Sequence, residues 1–208
     1  MERLDAIAEK IRQDFMTKNA ARDRALIASR ELVRFCSLTI RAVHRAEFKE
    51  SDGLLAQAFT LVRELEDSLK AIPDIFYAGY VQDALKEYAE ATVFYALVAG
   101  RPIPDPDEIH VGYASYLNAL GEAVGELRRY ILDALRQGKT GRCEEILQHM
   151  DDIYSVMVTM DFPDAITGNL RRTTDVTRGI MEKTRGDLTF ALRQDNLEKA
   201  LAAFEKRI

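Results

Sequence analysis

Four glutamates form two pairs on neighbouring helical segments of the sequence. Glu87 and Glu90 are three residues apart, and Glu122 and Glu126 are four residues apart. Either spacing places both members of a pair on one face of an α-helix. If the two faces meet, four carboxylates converge on one point, and a hard cation is needed to offset their repulsion. The pattern therefore predicts a magnesium site held by these glutamates.

The first pair lies at the edge of an unusually apolar helical segment. Glu87 and Glu90 run directly into the stretch Ala91 to Ala99, in which Thr92 is the one polar residue. A helix that is apolar on all sides is buried, so an ionised carboxylate beside it needs a compensating partner. The sequence predicts that this partner is either a basic side chain or a metal ion.

The second pair lies off the apolar stripe of its own helix. Gly121 and Gly125 stand mid-helix next to Glu122 and Glu126, where each glycine costs about 1 kcal/mol relative to alanine. Two such glycines predict that a neighbouring backbone comes close, which would bring the two glutamate faces within coordinating distance. The alternative is that these carboxylates pair with arginines, such as Arg129 on the same helix.

A basic segment precedes both pairs. Between residues 22 and 49 there are seven Lys or Arg and three Asp or Glu, within a chain of net charge −5. A helical projection at ~100° per residue gathers one row of basic residues into a sector roughly 60° wide. The row consists of Arg30, Arg34, Arg41 and Arg45, with His44 beside it. Guanidinium groups in a row can follow a nucleic-acid backbone, although a solvated helix face and a structural role for His44 are the alternatives.

Composition limits the class of protein. The chain has 208 residues, of which 47% are hydrophobic and 30% charged, which is typical of a single globular domain spanning 1–208. The first residues lack the basic start and apolar stretch of a secretion signal, and the longest apolar run is about half of the ~20 residues that a membrane span needs. We therefore expect a cytoplasmic protein that does not insert into membranes.

Metal sites other than the glutamate site are not indicated. Cys36 and Cys143 are far apart, and the three histidines do not have the spacing of metal ligands. This pattern argues against a zinc site and against a disulfide bond.

Helical periodicity dominates the whole chain, and no alternating pattern is long enough for a sheet. The sequence predicts an all-α, single-domain antiparallel bundle of about seven helices and a short terminal one. Breaks are expected at Ser51-Asp52-Gly53, at Pro73, between Gly100 and Pro106, at Gly138 to Gly141 and at Asp161 to Pro163. The predicted helices are 3–18, 20–50, 54–71, 74–99, 108–137, 141–160, 165–195 and 196–206.

Several short motifs follow one another over nearly the whole length of the chain. Ser29-Arg30 and His44-Arg45 come first, and they are similar to the early SR and HR motifs of the translin and Trax family. The segment Glu87 to Glu90 is similar to its EYxE helix, and Glu182 to Leu188 is similar to its late motif containing RG. Their order and spacing most resemble the Trax branch and its prokaryotic, archaeal-type relatives.

This resemblance implies a translin-like α-α superhelix that assembles into a closed homo-oligomeric shell, an octamer. It implies binding of single-stranded RNA, possibly also of DNA, and in the Trax branch RNA cleavage with Mg²⁺ or Mn²⁺. The family's acidic set falls on Glu87, Glu90, Glu122 and Glu126, and the chain departs at Glu122, where the Trax pattern has aspartate. The alternative is a non-catalytic oligomer that binds single-stranded RNA or DNA, as in the translin branch.

Overall fold

The computed structural model describes residues 1–206, and within this range the chain folds into eight helices and no strand. The all-α fold predicted from periodicity is confirmed. None of these helices combines the length and the apolar character that a membrane crossing requires. The helices are α1 Glu2–His44, α2 Phe48–Leu69, α3 Pro73–Phe76, α4 Gly79–Val98, α5 Tyr113–Arg136, α6 Cys143–Val158, α7 Asp164–Thr167 and α8 Leu170–Glu205.

The chain divides into two compact units. The first consists of residues 1–92 and 104–116, and the second consists of residues 93–103 and the chain from residue 117 onward. Helices α4 and α5 each begin in the first unit and continue in the second. The single domain remains a prediction.

The first unit is built on the packing of α1 along α2. The buried face of α1 includes Leu32, Cys36 and Val43, and α2 buries Val62 and Leu65. At the other end of the contact, the Lys18 ammonium lies 2.8 Å from the Asp74 carboxylate and ties α1 to α3. Residues 1–17 are all exposed, so α1 is covered from Lys18 onward.

The turn between α1 and α2 differs from the prediction. The helix ends at His44, and Ala46 takes the left-handed conformation with a φ of 60°. The Glu47 amide then donates to the Ala42 carbonyl at 2.9 Å, which closes the turn. The chain therefore reverses before Ser51-Asp52-Gly53, which lies within α2 and is not a break.

Two further predicted breaks were wrong. Helix α1 continues through residue 19, and α8 continues through residue 195. Neither position carries proline or glycine, and no side chain of the sequence forces the helix to end there.

Conversely, two predicted helices are divided. Pro73 begins the four-residue α3, so the predicted helix 74–99 is interrupted before Gly79. The predicted helix 165–195 is interrupted after α7, where Gly168 has a φ of 59°.

In the second unit, α6 packs on α8. Met150 and Met157 of α6 and Leu170 and Leu188 of α8 are almost completely buried. The Asn118 side chain donates to the Thr167 carbonyl at 2.8 Å and accepts from the Thr173 hydroxyl at 2.7 Å. These bonds fix the second part of α5 against α7 and α8.

Gly121 is the point of closest packing on α5. A Cβ atom there would lie 2.4 Å from Cγ2 of Thr173 and 2.9 Å from Cε of Met157, whereas a Cβ at Gly125 would meet nothing within 4 Å. The predicted close approach is therefore found at Gly121 alone. The neighbours are side chains of α6 and α8, rather than a backbone.

Candidate metal centre and nucleic-acid interface

Helix α4 places Glu87 and Glu90 in apolar surroundings, as its sequence predicts. The adjoining residues Ala89 and Ala91 are fully buried. Glu90 itself is 8% exposed, and Glu87 is half-buried. A carboxylate with so little contact with water is costly to ionise unless a cation or hydrogen-bond donors compensate it.

Cys36 lies near this pair and was not singled out by sequence reasoning. Burial raises the pKa of its thiol strongly, and the negative charges of Glu87 and Glu90 raise it further. The thiol is therefore neutral at pH 7 and adds no negative charge to the carboxylates. The sequence feature that could have identified Cys36 as a buried residue is its position on the apolar face of α1, one turn before Ile40.

Helix α5 presents Glu122 and Glu126 from a face next to its buried seam. Both glutamates are half-buried, while Ala123 and Leu127 beside them are fully buried. The Glu126 carboxylate lies 3.6 Å from the Arg129 guanidinium. The arginine pairing that the sequence left as an alternative is thus present for Glu126.

Three of the four predicted ligands come together. One carboxylate oxygen from each of Glu87, Glu90 and Glu122 lies within 4.8 Å of the other two, and Glu126 is not part of this group. Hard oxygen donors of this kind suit Mg²⁺ or Mn²⁺. In an octahedral magnesium site adjacent ligand oxygens lie roughly 2.9 Å apart and opposite ones roughly 4.2 Å, so the three carboxylates would have to move closer together to bind one ion directly. The chemistry of the donor set fits a divalent cation.

The basic row on α1 is accessible to solvent. Arg30, Arg34, Arg41 and Arg45 are exposed, and His44 is half-buried. Nearby acids approach two of the arginines.

Glu31 lies 3.4 Å from Arg34, and Glu47 lies 2.5 Å from Arg45. Arg41 donates to the Ser37 carbonyl of the same helix at 3.1 Å. Each of these contacts is exposed, and exposed ion pairs of this kind contribute about 0–1 kcal/mol. These weak contacts leave the guanidinium groups accessible to solvent.

Comparison with known proteins places these features in context. No family model matches the chain. The uncharacterized protein MJ0175 of Methanocaldococcus jannaschii is 30% identical over 186 residues, which are 88% of this chain and 82% of that protein.

Solved structures match this chain over a similar share of its length. AfC3PO in a complex with duplex RNA matches with a TM-score of 0.82 and 31% identity, covering 90% of this chain and 97% of AfC3PO. A crystal structure of AfC3PO matches with the same TM-score and coverage at 30% identity. Apo-NeC3PO is 19% identical, with a TM-score of 0.80 over 88% of this chain and 96% of its own, and shares the fold.

The helical architecture, shared with AfC3PO at 31% identity over 90% of the chain, defines a translin/Trax-like protein. The chain belongs to this family, in its archaeal-type group with AfC3PO. The resemblance found in the sequence motifs is confirmed.

Proposed function

We propose that the chain is a metal-dependent endoribonuclease that cleaves single-stranded RNA within a homo-oligomeric shell. The observation that carries this proposal is the convergence of Glu87, Glu90 and Glu122 within 4.8 Å. The RNA ligand of AfC3PO, at 31% identity, supports a nucleic-acid substrate.

The acidic residues have two roles in this mechanism. Glu87, Glu90 and Glu122 hold Mg²⁺ or Mn²⁺, which when bound activates water and neutralises charge on the phosphodiester. Glu126 orients the attacking water, and its neighbour Arg129, 3.6 Å away, offsets part of the negative charge of that carboxylate. The apolar neighbours on α4 restrict water around the buried Glu90, which strengthens electrostatic interactions there.

The basic row on α1 holds the substrate. Because the chain has a net charge of −5, RNA must bind through a local positive surface. We assign this role to Arg30, Arg34, Arg41, His44 and Arg45. Guanidinium groups bind phosphate oxygens through paired hydrogen bonds and carry no sequence preference.

The test is a digest of labelled single-stranded RNA with Mg²⁺ or Mn²⁺, repeated with EDTA. Cleavage should disappear on chelation and in the variants Glu90→Gln and Glu126→Gln. Glu64→Gln, an exposed glutamate on α2, is the matched control and should cleave normally. Cleavage that persists in EDTA would refute the metal mechanism.

The alternative is a non-catalytic oligomer that binds RNA or DNA. The pairing of Glu126 with Arg129 favours it, because that carboxylate is already engaged. Binding of single-stranded RNA, duplex RNA and single-stranded DNA should be measured in parallel with cleavage. Tight binding without cleavage in either metal would establish this alternative.

A further inference from the structure

A cavity of about 350 Å³ lies where α2 ends and α3 begins. This volume is within the range of sites that bind small molecules, roughly 300–1,000 Å³. Its walls belong entirely to the first unit, in which α2 and α3 are in contact. The lining side chains that carry polar groups or rings are Arg63, Glu66, Asp67, Lys70, Phe76 and Tyr77. None of them belongs to the proposed metal centre or to the basic row on α1.

One wall of the cavity is held in place through His110. A guanidinium nitrogen of Arg63 lies 2.7 Å from Nε2 of His110, and Nδ1 of the same ring lies 3.1 Å from the Glu66 carboxylate. Because an arginine N–H can only donate, Nε2 accepts, and in the neutral ring Nδ1 carries the hydrogen and donates to Glu66. Arg63 and Glu66 are themselves 3.6 Å apart, so each offsets the charge of the other. This wall is therefore formed before any ligand binds.

Asp67 and Lys70 supply a negative and a positive group at the edge of the cavity. The two residues are three positions apart at the end of α2, and both are exposed. Over residues 1–206, neither side chain has a hydrogen-bond or ion-pair partner. A carboxylate only accepts hydrogen bonds, and an ammonium group only donates them. A ligand that uses both groups must offer a donor to Asp67 and an anion to Lys70.

Tyr77 contributes a flat apolar surface to the same cavity. This residue is 71% exposed. The ring of Phe76 meets the Tyr77 ring edge-on, with 5.1 Å between the centroids and an angle of 83° between the planes. Edge-to-face packing of this kind fixes the orientation of an aromatic ring. Nucleobases stack on exposed aromatic rings in proteins, whichever base is bound.

We propose that this cavity binds a nucleotide whose base carries an amino group. The base stacks on Tyr77, its amino group donates to the Asp67 carboxylate, and its phosphate lies at the Lys70 ammonium. A nucleotide combines a flat ring, N–H donors on the ring edge and an anion, and each of these has its counterpart in the cavity. Cytosine, for example, has an amino group at the position where uracil has a carbonyl oxygen.

The cavity is remote from the glutamates of the metal centre. The contact of Lys18 with Asp74, at 2.8 Å, places α3 beside Lys18 of α1. Cys36, which interacts electrostatically with Glu87 and Glu90, lies 18 residues further along the same helix, or about 27 Å. A nucleotide in the cavity is therefore not the one at which RNA would be cut, and the inference does not depend on the proposed cleavage.

Calorimetry with paired ligands tests the roles of the base and the phosphate. The full chain is titrated in EDTA with cytidine monophosphate, uridine monophosphate and cytidine. Cytidine monophosphate should bind about tenfold more tightly than either of the others, because each of them lacks one contact with a charged side chain. Equal affinities for the two monophosphates, or no binding of cytidine monophosphate at millimolar concentration, would overturn the proposal.

Substitutions at exposed positions locate the bound nucleotide. Tyr77→Ala should weaken binding of cytidine monophosphate roughly tenfold, and Tyr77→Phe, which keeps the ring, should bind it normally. Asp67→Asn should remove the preference over uridine monophosphate, because an amide can also donate to the uracil carbonyl. Glu64→Gln, on α2 but outside the cavity, is the matched control. Unchanged binding in both Tyr77→Ala and Asp67→Asn would place the nucleotide elsewhere and overturn the proposal.

A cytidine oligonucleotide distinguishes the two sources of the nucleotide. If the cavity takes one unit of a strand, Tyr77→Ala should lower the affinity for the oligonucleotide by the same factor as for cytidine monophosphate. If it takes a free nucleotide, Tyr77→Ala should leave binding of the oligonucleotide unchanged. Either result supports the site. Glu90→Gln should bind cytidine monophosphate normally even where it abolishes cleavage, and loss of binding in this variant would place the nucleotide at the metal centre and refute the inference.

Discussion

The carboxylates of Glu87, Glu90 and Glu122 repel one another at separations below 4.8 Å, and Glu90 has little water to screen it. Carboxylates at such separations repel one another when they are ionised, and a divalent cation between them offsets that repulsion. The folded state should therefore gain stability from any divalent cation that binds there. This gain can be measured without an RNA substrate.

Thermal unfolding should show the effect of metal directly. Saturating Mg²⁺ should raise the Tm of the unaltered protein by about 5–10 °C relative to EDTA, because a ligand at a hundredfold excess over its Kd stabilises by about 2.7 kcal/mol. Glu90→Gln should lose this increase, and Glu64→Gln should keep it. An equal increase in all three proteins would place the cation elsewhere.

Two buried tyrosines contribute to the response of stability to alkali. Burial raises the pKa of Tyr88 and of Tyr116 to about 12 from an ordinary value of 10, and Asp105 contributes at Tyr116. In the unfolded chain these groups ionise from about pH 10, whereas in the folded chain they stay protonated to about pH 12. These two groups should therefore lower the free energy of unfolding between pH 10 and 12, and the buried thiol of Cys36, with an ordinary pKa of 9, should add a loss that begins about one pH unit lower.

Urea denaturation across this range provides the measurement. Tyr116→Phe removes the hydrogen bond that the hydroxyl donates to the Pro104 carbonyl at 2.7 Å, which should cost about 1 kcal/mol at neutral pH. It should also reduce the loss of stability above pH 10. An unchanged or steeper loss in this variant would show that Tyr116 does not control the transition.

At the site, sequence spacing was sufficient to identify the acidic residues. It could not give the distances between their carboxylates. Helical periodicity alone places Glu87 with Glu90 and Glu122 with Glu126. The distance between the two pairs depends on tertiary packing. Likewise, Glu126 could be paired with Arg129 or directed at a metal, and only coordinates show the 3.6 Å contact.

At the scale of elements, the two glycines of α5 offer a matched comparison. Gly121→Ala should destabilise the protein by about 1–3 kcal/mol, because its methyl group would collide with Thr173 and Met157. Gly125→Ala should be neutral or stabilise by up to about 1 kcal/mol, because its surroundings are open and alanine favours the helix.

Free energies of unfolding from urea titration would give both values. The two changes are chemically the same and lie one helical turn apart, so their difference isolates packing from helix propensity. Equal effects at the two positions would refute the close packing of Gly121 against α6 and α8.

The sequence predicts the positions of most helices, but it predicts their first and last residues less accurately. Apolar periodicity extends through α4 and α5 and identifies both. The turn after α1 depends on Ala46 at a φ of 60°, which alanine rarely adopts and which no turn motif announced. Gly53, a stronger turn signal, lies instead inside α2, where a single glycine is tolerated.

At the scale of the whole molecule, binding of a polyanion must overcome a net charge of −5. Long-range repulsion weakens with added salt, whereas contacts between arginines and phosphates release counterions and weaken RNA binding as salt increases. The salt dependence of affinity therefore reports how many arginines contact the backbone.

Removing two arginines should change this dependence by a set amount. In Arg41→Ala with Arg45→Ala, the slope of log K against log salt for single-stranded RNA should decrease in magnitude by roughly 1.4, since each phosphate contact contributes about 0.7. Arg136→Ala, an exposed arginine on α5, should leave the slope unchanged. Equal slopes for the double variant and the unaltered protein would exclude Arg41 and Arg45 from the interface.

The unbroken length of α1 has a mechanical consequence. As one helix of 43 residues, it spans about 65 Å. Its first turns, before Lys18, carry exposed apolar side chains, and its last turns, before Ala46, carry the arginines. A stiff rod of this kind acts as a spacer. If its free tip is anchored in a neighbouring molecule, the rod would set the interval at which successive copies present guanidinium groups to a bound strand.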